Sequence, residues 1–72
     1  MRKPKPYHVL LIPSDGDPRK LRQRFRSPDV AVIMARPAAL NLFRDQQVEI
    51  VVIETASREA VRNEFIGGKQ NA

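Results

Sequence analysis

No cysteine occurs among the 72 residues, which excludes disulfide staples, thiolate metal sites, thiol nucleophiles and redox chemistry. The single histidine, His8, has no second imidazole for a metal and no nucleophile near it in sequence. An ordinary strand position is expected for it. Only three glycines are present, Gly16, Gly67 and Gly68, and they match neither the dinucleotide-binding nor the P-loop spacing. Aromatic residues are scarce: Tyr7, Phe25, Phe43 and Phe65, three of which sit at expected core positions. Recognition of single strands by base stacking is therefore poorly supported. No apolar run approaches the roughly 18 residues of a membrane span, and Met1–Pro6 lacks the hydrophobic stretch of a secretory signal. A cytoplasmic location is the corresponding expectation.

What is present is a globular composition, 42% hydrophobic and 29% charged. At this length folding buries only about 60% of the surface that the unfolded chain exposes. A core this small supplies roughly 3–5 kcal/mol, and with disulfides excluded a bound partner or a homodimer is expected to add to it.

Charge is unevenly placed. Residues 1–26 carry Arg2, Lys3, Lys5, Arg19, Lys20, Arg22, Arg24 and Arg26 against Asp15 and Asp17. In residues 27–72, Arg36, Arg44, Arg58, Arg62 and Lys69 face Asp29, Asp45, Glu49, Glu54, Glu59 and Glu64. The whole of the net +5 thus belongs to the first third of the chain, and an acidic partner is implied for that face.

Periodicity and punctuation predict an α/β fold. Residues 1–6 read as a basic, proline-containing arm, 7–66 as a single domain and 67–72 as a loose tail. Tyr7–Ile12 is a short apolar strand closed by Pro13-Ser14-Asp15-Gly16. Asp17-Pro18 supplies a helix start for Pro18–Arg26, with Leu21 and Phe25 four apart on one face and Ser27-Pro28 as a stop. Asp29–Ala35 reads as a second buried strand, Pro37–Gln46 as a second helix, and Val48–Glu54 as the third strand. Thr55-Ala56-Ser57 opens a third helix with Val61 and Phe65 four apart, stopped by Gly67-Gly68. The expected architecture is βαβαβα around a three-stranded parallel sheet, a Rossmann-like half, with strand order 3-2-1 or 2-1-3. Two open sheet edges would favour a homodimer.

Parallel sheets bind ligands beyond the carboxyl ends of their strands. In this architecture Ser14, Asp15, Gly16, Asp17, Arg36, Glu54, Thr55 and Ser57 would share one rim, where Asp15, Asp17 and Glu54 offer oxygen ligands to a divalent cation. Each also has a sufficient local role as a helix cap or turn residue, so no metal and no cofactor is expected. Asp15-Gly16-Asp17 after an apolar strand resembles the nucleophile loop of haloacid-dehalogenase-like phosphatases, and the acidic loops resemble those of response-regulator receivers. Each resemblance spans a few residues. Pro13-Ser14 breaks the first pattern, a receiver's lysine is missing, and the chain is short for either fold.

The strongest signal is Arg19-Lys20-Leu21-Arg22-Gln23-Arg24-Phe25-Arg26, five cations with no acid. As a helix it would turn Leu21 and Phe25 inward and fan its cations outward, beside Arg2, Lys3 and Lys5. Such a surface suits phosphates, because bound cations release condensed counterions. The expectation is a small non-enzymatic protein that binds nucleic-acid backbone. The alternative is an adaptor or inhibitor, of the kind encoded by phages and mobile elements, docking on an acidic protein surface.

Overall fold

The computed structural model describes residues 5–68 and consists of a four-stranded antiparallel sheet with one helix on one face. The elements are β1 (Tyr7–Pro13), β2 (Arg19–Phe25), α1 (Pro28–Leu42), β3 (Gln47–Glu54) and β4 (Ala60–Gly67). The strands lie in the order β2-β1-β3-β4. β1 is antiparallel to both β2 and β3, so β2 and β3 run parallel with β1 between them, and α1 makes the crossover. The expected three-stranded parallel βαβαβα sheet is therefore overturned.

Two strands fall where the apolar runs predict them, and three segments differ for identifiable reasons. Residues 19–25 form a strand and not a helix: Leu21 and Phe25 are four apart, a spacing that satisfies a two-residue repeat as well as a helical one. Leu21 packs against the core and Phe25 is buried in it, while Arg22, Gln23 and Arg24 between them are exposed. The same ambiguity holds for Val61 and Phe65, which lie in β4 and not in a third helix.

Residues 29–35, expected as a strand, form the first half of α1, and of the expected second helix, Pro37–Gln46, residues 37–42 continue it while 43–46 form a turn. Ser27-Pro28-Asp29 is a helix start rather than a stop. Ser27 has extended backbone, its hydroxyl accepts from the Val30 N–H at 3.2 Å, Pro28 begins the helix and Asp29 lies in the first turn. Pro37 stays inside the helix, at the cost of one backbone hydrogen bond. Alanines 31, 35 and 39 recur every four residues and are fully buried. Their small side chains let the helix backbone lie close to the sheet.

The core is built by alternation. Val9 and Leu11 of β1 and Val48, Ile50 and Val52 of β3 point toward α1 and are buried together with Phe25, Val32 and the three alanines. Tyr7, Leu21, Phe43 and Ile66 pack around this cluster. The helix has large apolar residues on its outer side as well, with Val30, Ile33, Met34 and Leu40 about half exposed. The turns impose their own demands. Gly16 has a φ of +132° between β1 and β2, and Gly67 one of +76° at the end of β4, where a Cβ would lie 3.0 Å from the Gln46 carbonyl. Gly67 thus ends a strand, not a helix.

Two substitutions in α1 should act in opposite directions. Ser27→Ala removes the cap and is expected to cost about 1 kcal/mol. Pro37→Ala restores a helix-interior N–H and is expected to add about 1–3 kcal/mol. Thermal unfolding checks both, at roughly 4–8 °C per kcal/mol for a domain of this size.

Candidate polyanion-binding edge

The basic segment becomes an edge strand, and this changes how its charges are displayed. Among the described residues β2 pairs only with β1, with Tyr7 opposite Phe25, His8 opposite Arg24, Leu10 opposite Lys20 and Leu11 opposite Arg19. The register shifts between His8 and Leu10. Leu11 faces α1, so Arg19 lies on the helix side, whereas Leu10 and His8 place Lys20 and Arg24 on the open side of the sheet. Leu21 turns to the core, which sets Arg22 on the open side beside Lys20. Arg26 follows directly after the strand. The cations line both sides of one edge and do not fan over a helix, which corrects the expected display.

Arg19, Lys20, Arg22, Arg24 and Arg26 are all exposed. Among the described residues none of the five forms an ion pair; the pairs present are Arg36 with Glu64 and Arg62 with Asp29, both between α1 and β4. Lys5 is exposed two residues before Tyr7, which pairs with Phe25 at the end of β2, next to Arg24 and Arg26 in the chain. Arg2 and Lys3 lie outside the described residues. The expected convergence of arm and basic segment thus has a described component in Lys5, although the segment is a strand.

His8 is the neighbour that the sequence did not single out. Its Nδ1 is 3.0 Å from the Thr55 hydroxyl. Burial and then the positive charges of Lys20 and Arg24 hold its pKa below the usual histidine value. The imidazole is therefore harder to protonate where the cations are unneutralised.

The expected ligand rim does not exist. It required parallel strands, and antiparallel pairing sends the loops to opposite ends: Pro13 stands beside Val48, whereas Glu54 stands beside Tyr7. Ser14 and the Asp15 N–H bond to the Gln46 side chain at 3.1 and 2.7 Å. At the other end the Ser57 hydroxyl donates to Glu54 at 2.7 Å, and Thr55 meets His8. Arg36 belongs to neither group. It makes a two-pronged bond to Glu64 at 2.6 and 2.8 Å, and those bonds lower the Glu64 pKa. Among the described residues no group of three or more histidine, aspartate or glutamate side chains is placed to hold a metal ion. No described helix is long and apolar enough to cross a membrane.

No protein-family model, curated protein or solved structure matches the chain.

The lowered His8 pKa has a consequence for stability. The unfolded chain takes up the proton at a higher pH than the folded one, so this contribution is complete above the unfolded histidine value of about 6.5 and is lost as the pH falls toward the folded value. Stability should decline as the pH falls below about 6.5. His8→Gln should flatten that slope in chemical denaturation; an unchanged slope would assign it to another group.

Proposed function

We propose that this chain is a small, non-enzymatic binding protein that holds the sugar-phosphate backbone of nucleic acid along β2, inside the cell. Arg19, Lys20, Arg22, Arg24 and Arg26 make the contact, with Lys5 extending it. The observation that carries the reading is an edge strand with four exposed cations, a fifth, Arg26, directly after it, no acidic residue in the segment and no ion pair to any of the five among the described residues. Surface cations of a folded domain are ordinarily interspersed with acids, as Arg36 and Arg62 are here. A row left unneutralised raises the local potential and attracts a polyanion. Because the contacts are to phosphates, affinity should be strongly dependent on salt and weakly dependent on sequence.

One observation favours a second reading, an acidic protein partner. β2 has a backbone edge unpaired among the described residues, and an extended acidic segment adding to it would combine ladder hydrogen bonds with charge pairing. Such an adaptor or inhibitor would use the same residues.

Fluorescence anisotropy with short single- and double-stranded DNA and RNA separates the two. Lys20→Glu/Arg24→Glu should weaken nucleic-acid binding at least tenfold and reduce the slope of log K against log salt by roughly 2 through the loss of two phosphate contacts. In the unaltered protein, bound polyanion should raise the His8 pKa, followed by NMR, because it offsets the charges of Lys20 and Arg24. Binding confined to low salt, together with tight binding of an acidic peptide, would replace the first reading by the second.

A further inference from the structure

We propose that β4 is a self-complementary edge through which two copies of this chain pair antiparallel, joining their sheets into one of eight strands. The inference is independent of what β2 binds.

The two edges of the sheet differ in character. β2 resists self-pairing, because an antiparallel copy centred on Arg22 would set Lys20 opposite Arg24 and Arg22 opposite itself. β4 is the reverse case. It runs Ala60-Val61-Arg62-Asn63-Glu64-Phe65-Ile66-Gly67 and, among the described residues, pairs only with β3. An antiparallel copy centred on Asn63 places Arg62 opposite Glu64 of the second copy and Asn63 opposite Asn63, with Phe65 beside Val61, the residue at which β4 shifts register against β3. Every pair is complementary and occurs twice, apart from the central asparagine, as two-fold symmetry requires. Moving the centre to Arg62 or Glu64 sets like charges face to face, and a one-residue shift puts side chains on opposite faces. The charge pattern therefore selects one register.

The two faces support the same register. β3 sets the orientation of β4: Val52 opposite Arg62 and Ile50 opposite Glu64 put both charges on the helix side, and Glu49 opposite Phe65 puts the phenyl ring on the open side. On the helix side the pairs already present would continue across the axis, in the order Asp29, Arg62, Glu64 of the second copy and Arg36 of the second copy. Signs alternate along this row. On the open side, Phe65 is 58% exposed, and Val61, 46% exposed, stands at the point where β4 shifts register against β3, large apolar exposure on an edge whose outward backbone groups have no partner among the described residues. Pairing covers both features with the same contact. In the resulting sheet the two β2 strands become the outer edges, separated by seven strand spacings or about 34 Å, so that a long polyanion can engage both.

Sedimentation equilibrium of the unaltered protein without nucleic acid should show a concentration-dependent dimer. Arg62→Glu and Glu64→Lys should each raise the dimer dissociation constant roughly tenfold or more, since each sets like charges opposite at two symmetric places. Mixing the two variants should restore association as a heterodimer. The carboxylate introduced at position 62 of one chain then meets the ammonium introduced at position 64 of the other, and the retained Glu64 of the first chain meets the retained Arg62 of the second. That rescue is not available to a variant that merely failed to fold, and circular dichroism of each variant checks folding directly. In the cysteine-free chain, Asn63→Cys should join to its copy with a short thiol-specific crosslinker, whereas Ser57→Cys, in the turn before β4, should not. A monomer at all concentrations up to near-millimolar would overturn the proposal. So would a dimer indifferent to both charge reversals and without the Asn63→Cys crosslink, which would place association on another surface such as the outer side of α1.

Discussion

The central ladder between β1 and β3 is the constraint on which the rest depends. Seven residue pairs, from Tyr7 with Glu54 to Pro13 with Val48, hold the two strands in one register. That register brings Val9, Leu11, Val48, Ile50 and Val52 to the same face. A slip of one residue would replace the slipped strand's share of this set, by His8, Leu10 and Ile12 if β1 moved or by Glu49 and Val51 if β3 moved, and so bring an imidazole or a carboxylate to the buried face. The alanine-lined side of α1 completes the arrangement, since larger residues at 31, 35 and 39 would push the helix away from the buried face.

With a single helix, only one face of the sheet is covered, and the distribution of the remaining chemistry follows. The outer strands bury little: within β2 only Phe25 is fully buried, and within β4 no residue is. Their residue choices are therefore free to serve other ends, and the two edges differ accordingly. β2 carries cations without acids. β4 alternates basic, neutral and acidic residues, and its Arg62 and Glu64 tie it to α1 through Asp29 and Arg36. His8, on a central strand beside the basic edge, feels the unneutralised charge directly, which makes its protonation a local measure of anything that neutralises Lys20 and Arg24.

The first strand and the third apolar run were legible because an unbroken β-branched stretch bounded by turn residues has few other readings. Leu21 with Phe25, and Val61 with Phe65, were not decisive, since a spacing of four residues returns to the same face in a strand and in a helix. Ser27-Pro28-Asp29 is a helix-starting triplet, yet the β-branched run Val30, Val32 and Ile33 after it points to a strand, and the alanines farther along outweigh it. The basic segment was legible as a charge feature whichever element carried it. The ligand rim was not, because it depended on strand direction.

Composition and order of residues by themselves determined that this chain lacks thiol chemistry, has one small core and concentrates its excess positive charge between Arg19 and Arg26, all of which are properties of the residues regardless of their neighbours. Only the tertiary structure decided that this segment is an edge strand, that the two acidic loops lie at opposite ends, and that Arg62 and Glu64 share one side of the other edge. The physical reason is that strand direction and side-chain facing are set by pairing between segments distant in sequence, such as β1 with β3, and a repeat of four residues within one segment does not encode them.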